Sequence, residues 1–193
     1  MDFITQQFQQ RAELIEQTRI NCSPQISQII DLICQAFKSG NKLLLMGNGG
    51  SAADCQHMAA EFVGRFERER AAWPAIALTT DTSILTAIGN DYGYDHVFSR
   101  QIEALANPGD VVFGISTSGN SVNVVRGFEA AIQKGSSLVA LTGGHDSRMS
   151  ELAQIAIQIP AKRTASIQEM HLFIEHLICA GVELAMVKEG DCS

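Results

Sequence analysis

Positive charge is scarce in this chain of 193 residues: 14 Lys and Arg stand against 21 Asp and Glu, a net charge of −7. That balance excludes non-specific nucleic-acid binding and attachment to an anionic membrane as the main activity, since both need basic residues set against phosphate. A small anionic ligand stays open, because amides at a helix N-terminus hold anions without a cation. Long apolar runs are missing too. None approaches the roughly 18 residues of a membrane span, and the polar N-terminus MDFITQQFQQRAELIEQ has no signal-like apolar segment, so the cytoplasm is the expected compartment. The five cysteines, Cys22, Cys34, Cys55, Cys179 and Cys192, lack the spacing of a disulfide framework and are expected as free thiols. No repeat, low-complexity segment or linker interrupts the chain, and 46% hydrophobic with 18% charged residues is ordinary globular composition, so one domain over residues 1–193 is expected.

Several nucleotide and hydrolase signatures are absent as well. Neither glycine cluster carries a Walker lysine, which disfavours a nucleoside triphosphatase. The G-x-G-x-x-G pattern has Ala52 at its third position, and the second apolar run ends in Leu78-Thr79-Thr80, with Asp81 just beyond, so a dinucleotide site is a weak second reading. No H-E-x-x-H motif supports a zinc hydrolase.

Five short, nearly continuous apolar runs are present: Lys42 to Met46, Ala75 to Leu78, Val111 to Ile115, Leu138 to Leu141 and Ile155 to Ile159. Such runs fit strands buried on both faces. Helical patterns separate them at Ala52 to Val63, Ser83 to Ile88, Ser121 to Lys134 and Asp146 to Glu151, giving a doubly wound α/β fold with a five-stranded parallel sheet flanked by helices. The expected layout is N-terminal helices within 1–38 (spans 2–18 and 25–38), sheet and helices over 40–160, and a C-terminal helix over 166–188. Ser166 and Glu169 read as its capping box. That helix is apolar nearly all round, so the terminal helices are expected to build a subunit interface, with packing inside the monomer as the alternative.

In open α/β sheets ligands collect at the carboxyl ends of the strands. The first strand leads into Gly47-Asn48-Gly49-Gly50-Ser51, where glycines let a ligand approach the main chain. The third leads into Ser116-Thr117-Ser118-Gly119-Asn120-Ser121, with four hydroxyls in six residues. A single helix cap at Ser121 needs only one of them, which favours a phosphate site. His57 and Glu61 lie one turn apart on the helix leaving the first loop and can reach one point, as a shared metal or substrate requires, although a solvated pair is the commoner reason for that spacing. The C-terminal helix carries Gln168, Glu169, His171, Glu175 and His176; the His171 and Glu175 pair repeats the spacing and is most simply a surface ion pair. Spacing does not choose among them. Cys55 is expected in the core, His96 and His145 in solvent, Asn90 and Asp91 in a polar turn that could hold sugar hydroxyls, and Arg65 either on the surface or at phosphate.

At these residues the chain resembles the sugar isomerase (SIS) domain family, and within it the phosphoheptose isomerases. The resemblance rests on GNGGSAADCQHMAAE at 47–61, TAIGNDYGYDHVFSRQ at 86–101, GDVVFGISTSGNSVNVV at 109–125, ALTG at 140–143, and IQEMH with the later His176. It implies a homotetramer with active sites at subunit interfaces. It also implies substrate contacts from Asn48, Gly49, Gly50, Ser51, Glu61, Asn90, Asp91 and Gln168, a phosphate site at Ser116, Thr117, Ser118 and Ser121, and one zinc ion on His57, Glu61, Gln168 and His176. The implied reaction is aldose–ketose isomerisation of D-sedoheptulose 7-phosphate to D-glycero-D-manno-heptose 7-phosphate, feeding ADP-heptose and lipopolysaccharide core synthesis, with Glu61 and His176 catalytic. ALTGGHDSRM departs from the family's usual TG-x-D-GG run in one loop. The competing reading is a non-catalytic SIS protein that binds a replication-initiator partner; such relatives lack the carboxylate four residues after the helix histidine, which is Glu61 here.

Overall fold

The computed structural model describes residues 2–187. The expected helix end at Lys188 and Cys192 lie outside the described residues. Five parallel strands, β1 (Leu43–Gly47), β2 (Ala75–Ala77), β3 (Val111–Ser116), β4 (Ser137–Gly143) and β5 (Ile155–Ile159), form one sheet in the order β2-β1-β3-β4-β5. The order reverses between β1 and β3, where doubly wound folds bind their ligands. Leu43 pairs with Val111 and Gly47 with Ile115 across that gap, so the loops following the two strands emerge side by side.

Alternating side chains put each strand into two cores. Leu43, Leu45, Phe113, Val139 and Leu141 pack under α1 (Phe3–Lys38), α2 (Gly50–Val63) and α7 (Thr164–Met186). Leu44, Met46, Val112 and Ala140 face α4 (Ser99–Leu105), α5 (Val122–Gln133) and α6 (Arg148–Leu152). The short α3 (Thr82–Asp91) has no fully buried residue. The α4 helix was not expected from the sequence: it has only seven residues, below the two turns that apolar periodicity needs to show itself.

Two local expectations are corrected. The N-terminal region is one 36-residue helix running through Pro24 rather than two helices. A proline inside a helix costs about 3 kcal/mol or more, and burial of Cys22 before it and Ile26, Ile29 and Ile33 after it on one face holds the helix together. Ser166 does not cap α7. The helix starts at Thr164 with Arg163 at the cap position, Ser166 is buried inside its first turn, and Glu169 instead accepts from Arg11 Nε at 2.5 Å, tying α7 to α1. Ile29 and Ile33 of α1 pack in one core with Ile174, Ile178 and Val182 of α7. Part of the terminal helices' apolar surface is therefore satisfied within the monomer. Phe8 remains 76% and Leu184 68% exposed.

Candidate active site

The first loop is shaped by close approach. A Cβ on Gly47 would stand 2.8 Å from the Ser51 carbonyl oxygen and 3.0 Å from that of Ile115, so only glycine lets β1 turn beside β3. Gly49 has φ +58°, a region side chains rarely occupy, and a Cβ on Gly50 would lie 2.5 Å from Gln168 Nε2. The loop thus brings the first turn of α2 against the first turns of α7.

Asn48, Ser51, Ser116, Thr117, Ser118, Ser121, Ile115 and Gln168 line a pocket of about 150 Å³. The Ser116 hydroxyl lies 3.3 Å from that of Ser118 and 3.1 Å from that of Ser121. Ser121 occupies the cap position of α5, yet its side chain makes no capping bond. Its hydroxyl is turned to the pocket, so simple helix capping, the alternative to a phosphate site in this loop, does not hold at Ser121. The pocket has no lysine or arginine in its lining; hydroxyls, amides and the start of α5 are what it offers an anion.

The second centre lies between α2 and α7. His57, Glu61 and His176 each offer one donor atom, all within 4.8 Å of one another; His57 Nε2 is 2.8 Å from His176 Nε2 and 3.4 Å from Glu61 Oε1. Two imidazole lone pairs facing at that distance need a proton or a cation between them. Imidazole nitrogens and a carboxylate oxygen are the donors zinc takes, and neighbouring donors around a tetrahedral ion stand about 3.4 Å apart. The three residues therefore fit a metal. Gln168 sits at the serine pocket and against Gly50, two turns of α7 before His176.

An ion pair that the sequence reading did not single out holds these pieces in register. The Arg70 guanidinium caps the end of α2, donating to the Glu61 and Phe62 carbonyls at 2.7 and 2.9 Å, and stacks 3.7 Å over the Trp73 ring. It pairs with buried Glu183 of α7 at 3.1 Å. The Glu183 carboxylate also accepts from the backbone N–H of Phe66, Glu67 and Arg68. Burial pulls its pKa up, but these donors and Arg70 outweigh burial and hold it below the ordinary value. The clasp fixes the helix bearing Glu61 relative to the helix bearing His176. No local pattern could reveal it, because the partners are 113 residues apart.

His171 and Glu175 are not the surface pair expected from spacing: both are fully buried. His171 Nε2 faces the Thr142 carbonyl at 3.2 Å, while its Nδ1 and both Glu175 oxygens lack partners. Burial, reinforced by the charge of Asp54, pushes the Glu175 carboxyl up to about 9. Burial also pulls His171 down to about 4, against the pull of the Thr142 carbonyl. His96 is half-buried against Arg126 rather than solvated; His145 is exposed and Cys55 buried, as expected. Arg65 lies on the surface beside Glu69. Asn90 and Asp91 end α3 in solvent, bonded to each other at 2.8 Å, and do not line the serine pocket.

The SIS domain family model matches residues 6–143. The chain belongs to the SIS domain family. A phosphoheptose isomerase of Citrifermentans bemidjiense is 51% identical over 187 residues, covering 97% of each chain. Among solved SIS structures, the phosphoheptose isomerase of Neisseria gonorrhoeae superposes with a TM-score of 0.88 at 40% identity over 94% of this chain and 97% of its own. That of Francisella tularensis gives 0.90 at 33% identity over 94% and 96%. This similarity over nearly the whole length makes the SIS chain an enzyme, a sugar phosphate isomerase. Among the described residues no helix is long and apolar enough to cross a membrane.

Proposed function

We propose that this enzyme interconverts D-sedoheptulose 7-phosphate and D-glycero-D-manno-heptose 7-phosphate, the first step toward ADP-heptose and the lipopolysaccharide core. The observation that carries the reading is the meeting, along α7, of a hydroxyl-lined anion pocket and a His57–Glu61–His176 cluster. Ser116, Thr117, Ser118 and Ser121 take the phosphate, and the amides of Gly49 and Gly50 with the side chains of Asn48, Ser51 and Gln168 hold the sugar. Asn90 and Asp91 add a further sugar contact; both are exposed, so that contact needs chain movement or a neighbouring subunit.

Isomerisation moves one proton between adjacent carbons and one between their oxygens through an enediol. Glu61, an acceptor when ionised, takes the proton from the carbon beside the carbonyl and returns it to the neighbouring carbon. His176 gives a proton to the carbonyl oxygen and takes one from the hydroxyl. Because the sugar is tethered by its phosphate, both groups meet the reacting carbons without a bimolecular search. His57, Glu61, Gln168 and His176 would hold zinc, which when bound supplies positive charge opposite the enediolate oxygens. A carboxylate that holds a metal would be a weaker base, so the base role assigned to Glu61 is that of the free carboxylate.

The buried free thiols Cys22, Cys34, Cys55 and Cys179 support a reducing compartment such as the cytoplasm, and the exposed apolar residues of α1 and α7 support a homotetramer. Purified protein given sedoheptulose 7-phosphate is expected to form the aldoheptose, to lose activity to a chelator and to regain it with zinc. Glu61→Gln and His176→Ala should each lower kcat about a hundredfold or more. Absence of product under every metal condition overturns the reading in favour of a non-catalytic SIS protein, and near-normal turnover in either variant removes that residue's role.

A further inference from the structure

We infer that Asn123, a residue outside the pocket lining, positions the anion pocket by fixing which atom Asn48 presents to a ligand. Asn123 lies in the first turn of α5 and is only 4% exposed. Its Oδ1 accepts from the Val124 backbone N–H at 3.0 Å and from Asn48 Nδ2 at 2.9 Å. Its Nδ2 donates to Asn48 Oδ1 at 2.8 Å. The two side-chain amides thus form a closed reciprocal pair joining the loop after β1 to the start of α5, across the switch point of the sheet.

The orientation of this pair has one solution. A backbone N–H can only donate, so the Asn123 atom facing Val124 must be oxygen. The other end of that amide is then NH2, and it must face the oxygen of Asn48. Asn48 Oδ1 receives a second donor, the Tyr94 hydroxyl at 3.5 Å, which occupies both its lone pairs. Asn48 Nδ2 has two hydrogens and gives one to Asn123. The remaining N–H belongs to a side chain that lines the serine pocket. The backbone of α5 thereby dictates, through two amides, that Asn48 offers the pocket a donor and never an acceptor. A pocket without lysine or arginine depends on such polarity, since an amide turned the other way would set a carbonyl oxygen against the bound oxyanion.

The inference rests on the proposed function only in taking the pocket as an oxyanion site, and inorganic phosphate tests it without catalysis. Asn123→Asp keeps the shape and the acceptor facing Val124, but its carboxylate cannot donate to Asn48 Oδ1; the Asn48 amide then turns its NH2 to the carboxylate and out of the pocket. Calorimetric titration with phosphate should show affinity about tenfold weaker than wild type, and in the isomerase assay KM should rise by a similar factor with kcat changed much less. Combined with Asn48→Ala, Asn123→Asp should weaken phosphate binding by less than about twofold further, because its effect travels through Asn48. Should Asn123→Asp fail to fold by circular dichroism, Asn123→Ser replaces it in the same cycle. Wild-type phosphate affinity in the single variant, an equal loss in both backgrounds, which would signal direct charge repulsion, or no phosphate binding by wild type each overturns the inference. The proposed isomerase activity stands or falls separately, on aldoheptose formation by the wild type.

Discussion

Ser121 shows how one hydroxyl divides structure from function. At the cap position of α5 it would ordinarily bond the helix's own amides, yet it bonds Ser116 instead. Ser121→Ala should therefore cost little stability, well under the roughly 1 kcal/mol of a lost cap, and raise KM for the sugar phosphate about tenfold with a small change in kcat. Thermal unfolding and steady-state kinetics read the two effects, and a large loss of stability at unchanged KM would return Ser121 to simple capping. Hydroxyl density made this loop readable in the sequence, just as helical spacing paired His57 with Glu61. Spacing failed on α7. The His171 and Glu175 pair repeats the i, i+4 arrangement of His57 and Glu61, but those side chains point into the monomer core, and only the direction in which α7 packs separates them from Gln168 and His176.

At the scale of elements, runs of β-branched and aliphatic residues disclosed all five strands, and the loops after β1 and β3 were read as neighbours in function before the sheet order made them neighbours in space. The continuity of α1 was not legible, because Pro24 is a local stop signal that long-range packing overrides. The Arg70 and Glu183 clasp was hidden for the same reason: each looks like a surface charge until α2 and α7 are brought together. Glu183→Ala leaves Arg70 buried without its partner and three loop amides without an acceptor, so it should destabilise the fold by about 3 kcal/mol or more. Zinc affinity should fall about tenfold, because the helices carrying His57, Glu61 and His176 lose their spacing. Differential scanning fluorimetry and a zinc titration measure these. Unaltered zinc binding in a folded variant would confine the clasp to stability.

For the whole molecule, the buried seam of α7 makes stability depend on pH. Glu175 titrates at about 9 in the fold, against an ordinary value of 4.5, so folding takes up a proton over that range; stability is complete below the lower value and falls by about 1.4 kcal/mol per pH unit up to the upper. His171, at about 4 in the fold against 6.5, acts the other way: its contribution is complete above 6.5 and is lost as pH falls toward 4. Between these ordinary values the two slopes cancel, and above 6.5 only that of Glu175 remains. Glu175→Gln should accordingly raise the unfolding midpoint more at pH 8.5 than at pH 6; an equal gain at both would show the carboxyl to be ionised in the fold. Association is the last consequence of the terminal helices. Phe3, Ile4 and Phe8 of α1 and Leu177 and Leu184 of α7 are exposed, and a stable contact needs about 800 Å² from each partner. Replacing Phe8 and Leu184 together by Glu should lower the mass seen by light scattering from that of the proposed tetramer. The candidate metal donors His57, Glu61 and His176 all come from one chain, so the proposed metal affinity should survive dissociation. Turnover should not, because His57 keeps 43% of its side chain exposed and the exposed Asn90 and Asp91 lie outside the serine pocket, leaving a site open enough to require a neighbour's surface. A dissociated variant with full turnover would show that the monomer's own residues complete the site.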